Sequence, residues 1–252
     1  MIVAVAQFKP TEDINQNLSR FSSICEKASL NKAQLVVLPD DSFSKRPTND
    51  YFEMLAELSK IAFQNCLAVS TGNIKYFDKK SVENRCFLIS ADGKLIGSQS
   101  KIISLMNEAD GGRINRFYLT DSCDVSILRG SDAFNEQTLT ELSKSTVKIL
   151  ILQVNPETKL EAEAIKELAI SISGNFADVV IAPWKLASGA SIYSEGGFIA
   201  CEGEIIEELN ENQELVITPV KLKSFIDYGE LRGKIFIPEI LKERLEDELE
   251  AS

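Results

Sequence analysis

The sequence predicts an α/β domain of four layers, an α-β-β-α sandwich with two facing sheets and helices outside them. Three observations lead there. Apolar, β-branched runs alternate with amphipathic segments at helical spacing, from "IVAVAQF" at the start to "ADVVIAPW" ending at Trp184. Hairpin patterns break that alternation twice, which a doubly wound parallel sheet would not do. No linker, repeat or low-complexity tract divides the chain, and helix layers outside two packed sheets accommodate all of this.

In order, "IVAVAQF" (Ile2–Phe8) reads as a buried strand. "TEDINQNLSRFSSICEKAS" reads as a helix, with Ile14, Leu18, Phe21, Ile24 and Cys25 on one face and Thr11 or Asp13 as its cap. "AQLVVLP" (Ala33–Pro39) is a second strand stopped by proline, "NDYFEMLAELSKIAFQN" a second helix and "CLAVSTGNI" a third strand. "NRCFLISADGKLIGSQSK" (Asn84–Lys101) is a hairpin around "ADGK". "NEADGGRIN" is a loop, and "GGRINRFYL" is read as a loop covering a pocket entrance. "CDVSIL" is a strand, "NEQTLTELSKS" a helix, "VKILILQV" a strand, "KLEAEAIKELAISISG" a helix and "ADVVIAPW" a strand. "GGFIACEGEIIEEL" and "ELVITPVKL" are read together as another hairpin. The domain is expected to span residues 1–229, followed by a tail over 230–252. That tail holds an acidic helix with Leu241, Leu245 and Leu249 on one stripe, which either makes a contact surface or docks on its own domain.

Composition narrows the function classes. The 252 residues are 44% hydrophobic, enough for a sizeable core. A formal net charge of −11 opposes phosphate backbones, so no nucleic-acid partner is expected. No stretch has the apolar length of a membrane helix, and "MIVAVAQFKP" lacks the basic and long apolar regions of a leader. Five scattered cysteines without close pairs argue for a reducing, cytoplasmic setting. There is no histidine, which excludes Ser-His-Asp and Cys-His catalysis and any histidine metal site. Neither a metal nor a cofactor is expected. A dinucleotide site is set aside because no GxGxxG follows any strand.

From Ile2 to about Tyr228 the landmarks resemble those of the nitrilase, or carbon–nitrogen hydrolase, superfamily. "VAVAQFKPTEDINQNL" looks like its first strand and helix, "AQLVVLPD" like the strand ending in Pro-Glu, and "NRCFLISADGKLIGSQSK" like the hairpin that carries its lysine. "FNEQTLTELSKSTVKILILQVN" looks like the segment after its cysteine, and "EGGFIACEGEIIEEL" like its late hairpin. The resemblance implies the nitrilase-type sandwich and a Glu-Lys-Cys site. In that site a thiol attacks an amide or nitrile carbon, the glutamate moves the proton, and the lysine stabilises the oxyanion.

Carried over residue by residue, the glutamate position is Asp40, whose carboxylate is one methylene shorter. Read without the resemblance, Asp40 is a turn residue after a strand and a proline. The lysine position is Lys101, otherwise a solvated surface lysine. Glu108 stands near a further supporting glutamate, or is a solvated loop acid. Aligning the family's Phe-Pro-Glu on Phe134, Asn135 and Glu136 sets Arg129 at the cysteine and Ser131 at the following aspartate. A register on Pro156 and Glu157 would set Leu150 there and leave too little chain for the later helix and strand. Neither register supplies a thiol, and arginine stays protonated at any working pH.

The resemblance therefore implies a degenerate member, expected to be inactive. A bidentate Arg129–Asp40 pair is expected to fill the vacated space. Rescue by Cys123, Cys201 or Ser131 is the alternative, making an amidase with a non-standard nucleophile. A third reading has Arg129 and Lys101 hold a small anion such as a carboxylate. The family habit of pairing through helices implies a homodimer or association with a paralogue.

Overall fold

Strands covered on both faces have no side left for polar residues, so they read as unbroken apolar runs. β1 (Ile2–Ala6), β2 (Leu35–Val37) and the start of β3 (Ala68–Asp78) are such runs. They pair in parallel, β1 with β2 and β2 with β3. The computed structural model describes residues 1–7, 9–43, 47–78, 81–102, 113–144, 146–185, 196–223 and 235–250.

The crossovers are helical. α1 (Ile14–Leu30) lies between β1 and β2, and α2 (Tyr51–Gln64) between β2 and β3. Asp13 caps α1, accepting hydrogen bonds from the N–H groups of Asn15 (2.9 Å) and Gln16 (3.4 Å). Asp13→Ala is expected to cost about 1 kcal/mol of stability. An unchanged denaturation midpoint would show the cap to be idle.

β4 (Ser81–Ile89) and β5 (Leu95–Ser100) extend this sheet antiparallel. The hairpin read from sequence between Asn84 and Lys101 is thus preceded by another strand pairing, because β3 runs on to Asp78, which lies opposite Ser81 of β4. The sequence reading stopped the third strand at Ile74. Its continuation, "KYFD", does not read as a buried run, since Phe77 and Asp78 are exposed.

The second sheet begins with β6 (Phe117–Thr120), within the stretch expected to be a loop. Only four residues long, β6 is an edge strand, too short for periodicity to register. β7 (Cys123–Arg129) pairs with it antiparallel. α3 (Glu136–Ser143), β8 (Val147–Gln153), α4 (Lys159–Asn175) and β9 (Ala177–Ala182) follow, with β7, β8 and β9 parallel. β10 (Phe198–Cys201) and β11 (Glu204–Glu208) form a hairpin within "GGFIACEGEIIEEL" itself. β12 (Leu215–Pro219) does not pair with that hairpin, contrary to the sequence reading. It crosses to the first sheet and lies antiparallel to β1, Ile2 opposite Pro219 and Ala6 opposite Leu215. A strand's own pattern does not name its partner, and β1 had an open edge to fill.

The strand orders are β12-β1-β2-β3-β4-β5 and β11-β10-β9-β8-β7-β6. Alternate side chains of each strand go to opposite faces. Ala4 and Ala6 of β1 join Phe21 and Ile24 of α1 and Leu58 of α2 in one core. Val3 and Val5 pack between the sheets with Val125, Ile127, Ile149 and Val179. Leu128, Leu150 and Val180 meet Leu139, Ile165 and Leu168 of the helices outside the second sheet. Those three cores make the four layers.

The last helix, α5 (Glu239–Glu250), docks on its own domain against α4 and the turn after β7. Leu241 is fully buried and joins the outer core with Ile237, Leu245 is half-buried, and Leu249 is exposed. Among the described residues no helix is long and apolar enough to cross a membrane.

Candidate functional site

β7 ends at Arg129, and the chain turns at once. Gly130 takes φ 51°, a conformation natural to glycine, and opens one 3-10 turn, Gly130–Ala133. Asn135 then caps α3 by accepting from the N–H of Thr138 at 2.9 Å. The Lys101 side chain lies over this turn: a Cβ on Gly130 would stand 3.6 Å from Lys101 Nζ.

Arg129 points inward and is 2% exposed. Its Nε donates to Asn73 Oδ1 and its Nη1 to the backbone carbonyl of Asn84, each at 2.5 Å. The strand β3 is shaped to make the first bond. Its register shifts between Ser70 and Asn73, around Gly72 at φ 69°. A Cβ on Gly72 would lie 2.1 Å from the Pro39 carbonyl oxygen, so only glycine fits the bulge that aims Asn73. Neither Asn73 nor Asn84 was found from sequence. The available signal was Gly72 inside a strand pattern, which marks a bulge or a close backbone approach.

Asp40 stands beyond β2, after Pro39. Its Oδ1 is out of reach of solvent and accepts no hydrogen bond. Burial pushes its carboxyl up to about 7, opposed by the Arg129 guanidinium, reinforced by Asp41, and opposed again by Lys185 and Lys75. The expected Arg129–Asp40 pair does not form: the guanidinium acts on Asp40 across space, but no hydrogen bond or ion pair joins them. Its donors are engaged on the β3–β4 side, which an alignment of linear motifs cannot reveal. The neighbouring Asp41 instead binds two lysines, Lys75 at 3.2 Å and Lys185 at 3.1 Å.

Lys101 is 8% exposed, not a solvated surface residue. The N–H of the next residue, Ile102, donates to Asp132 Oδ2 at 2.7 Å, which ties the end of the hairpin to the 3-10 turn. The acid beside Lys101 is Glu248 of α5, its Oε2 3.4 Å from Nζ. Glu108, expected in a supporting place, lies outside the described residues. Arg244 of α5 donates through Nε to Glu248 (3.2 Å), and through Nη1 to Glu161 (2.6 Å) and the Asn155 carbonyl (3.1 Å). Its guanidinium carbon is 5.7 Å from the centre of the Phe134 ring. Burial would raise the Glu248 carboxyl, but the Ser131 hydroxyl, Lys101 and Arg244 together hold it below the usual carboxylate range. Lys101 thus pairs with Glu248, whereas Arg129 donates to Asn73 and Asn84.

The buried thiols are quiet. Cys86, the one close enough to feel both Arg129 and Asp40, is buried 3.5 Å from the Ser70 hydroxyl, and burial pushes it up to about 11. Cys123 sits at the far end of β7, pushed up to about 11 by burial, and burial raises Cys201 as well. A reactive thiol needs the opposite shift.

A cavity of about 490 Å³ opens beside the turn, lined by Asp40, Gly130, Gln153, Asn155, Lys185 and Arg244 among others. Gln153 is held by its Nε2, which donates to the Leu38 carbonyl at 2.9 Å. The arrangement offers a polar pocket with charges of both signs and a carboxyl that titrates near neutrality, and among the described residues no thiol lines it.

The family model for carbon–nitrogen hydrolases matches residues 2–160. No curated protein matches the sequence. Among solved structures, an amidase from Nesterenkonia sp. superposes with a TM-score of 0.73 at 14% identity, over 86% of this chain and 89% of that one. The amidase of Nesterenkonia sp. AN1 after removal of its tag gives 0.75 at 15% identity, over 90% and 94%. A mutant of that amidase, with the acetamide moiety of fluoroacetamide added at its active-site cysteine, gives 0.73 at 14% identity, over 90% and 92%.

Proposed function

The chain belongs to the carbon–nitrogen hydrolase family, and from that footing we propose that it is a non-hydrolytic member whose fold serves binding or assembly. The observation that carries this reading is Arg129. Where the resemblance expects a free thiol at the end of β7, a guanidinium is buried and committed to Asn73 and Asn84. A guanidinium does not attack carbon, because it stays protonated. The Nesterenkonia amidase bears its adduct on a cysteine, and the nearest buried thiol here, Cys86, is too basic to replace it.

What remains is the polar cavity of about 490 Å³, which suits a small carboxylate or amide. Assembly into a homodimer, or with an active paralogue, is the other half of the proposal. The free state of all five cysteines is in keeping with a cytoplasmic protein.

The test is incubation with short aliphatic amides, followed by ammonia release and intact mass. Neither ammonia nor an adduct is expected. A covalent adduct would overturn the reading. The rival reading, a hydrolase in which Asp40 activates a water, draws on the titration of Asp40 near neutrality. It predicts ammonia without an adduct, abolished by Asp40→Asn.

A further inference from the structure

We infer that Lys101, Ser131 and Arg244 form a carboxylate-binding site, and that its occupant is the chain's own Glu248. The ligand class of the site is therefore a small carboxylate, supplied in cis by the C-terminal helix. The inference stands apart from whether the protein hydrolyses amides.

The cationic side is built, not incidental. Lys101 is more than nine-tenths buried, and an ammonium in that position needs a counter-charge. Glu248 Oε2, at 3.4 Å, is its ion-pair partner. Arg244, one turn earlier on the same helix, is held by Glu161, the Asn155 carbonyl and the Phe134 ring, and its Nε donates to Glu248 at 3.2 Å. The Ser131 hydroxyl is buried and makes no well-formed hydrogen bond, yet it is close enough to Glu248 to favour the charged form.

The carboxylate also sits against its local preference. Glu248 lies in the last turn of α5, where the helix ends in its own negative pole and no basic residue offsets it. The helix holds other acids facing water, among them Glu243, Glu246 and Glu250. Among the described acids of α5, Glu248 is the one that reaches Lys101. Its hold does not depend on the pair, because Leu241 and Ile237 anchor α5 in the outer core two turns earlier. A tethered carboxylate of this kind acts at an effective concentration on the order of millimolar or higher, so free carboxylates compete poorly with it.

The experiment uses the full chain with Glu248→Ala, and Glu248→Gln as the shape-preserving second variant. Sodium acetate is the probe, against sodium chloride at equal ionic strength. The thermal midpoint of E248A should rise saturably with acetate, that of the unmodified protein should not, and adding Lys101→Ala to E248A should abolish the rise. An amine-acylating reagent read by peptide mass should label Lys101 several-fold faster in E248A, with acetate protecting it. A folded E248A that ignores acetate and leaves Lys101 unlabelled would overturn the inference. So would an equal acetate response in the unmodified protein. Failure of both single variants to fold, unrescued by acetate, would overturn it too, making Glu248 part of the framework rather than an occupant.

Discussion

Replacing Arg129 by methionine is expected to lower the unfolding free energy by about 2–4 kcal/mol. Methionine approximates the length and apolar stem of arginine, so the cavity left behind is small. What is lost is the pair of charge-assisted donations to Asn73 Oδ1 and the Asn84 carbonyl. The bond to Asn73 is buried and that to the Asn84 carbonyl part-buried, and a buried acceptor left unpaired costs about 1–3 kcal/mol. The measurement is denaturant unfolding, with a lower midpoint at an unchanged slope. A loss below about 0.5 kcal/mol, the scale of an ordinary surface change, would mean that Arg129 is not the keystone of this turn. The variant should also move the titration of Asp40 upward, because Arg129 is the principal charge opposing it.

Asp40 carries the second large effect, and its sign is opposite to that of a salt-bridged acid. Burial holds its carboxyl at about 7, whereas in the unfolded chain it titrates near ~4. Between those values the folded protein keeps a proton that the unfolded chain has released. Stability from this group is therefore fully present below about pH 4 and lost as pH rises through about 7. The difference corresponds to at most about 4 kcal/mol, and residual solvent contact reduces it. Asp40→Asn should be more stable than the unmodified protein at pH 8, by about 1–4 kcal/mol, with the gap closing toward pH 4. Equal stabilities across that range would show that Asp40 is ionised without penalty. The groups that set this titration are Arg129, Asp41, Lys185 and Lys75.

These two expectations share a cause. The Arg129 guanidinium acts on Asp40 across space without bonding to it, while its Nε and Nη1 donate to the β3–β4 hairpin. Sequence reasoning brought both residues to one place by aligning short landmarks around them. It missed Asn73 because the bulge that aims it depends on the close approach of Gly72 to the Pro39 carbonyl, a contact 33 residues apart along the chain. It missed Glu248 for a stronger version of the same reason. The pair with Lys101 spans 147 residues, and nothing in the pattern of an acidic helix says which of its acids turns inward.

Periodicity along the chain was enough for the central strands, most helices and the layering, because a buried strand or an amphipathic helix writes its burial into consecutive residues. The position of Arg129 at the end of a strand and before a helix was likewise readable in "SILRGSDAFNEQTL". The partner of β12, the edge strand β6, the docking of α5 and the partners of Arg129 and Lys101 were settled by packing in three dimensions. Each depends on which open edge, unpaired charge or uncovered core face was left for a distant segment to fill. That information resides in the distances between elements and is absent from the order of residues within them.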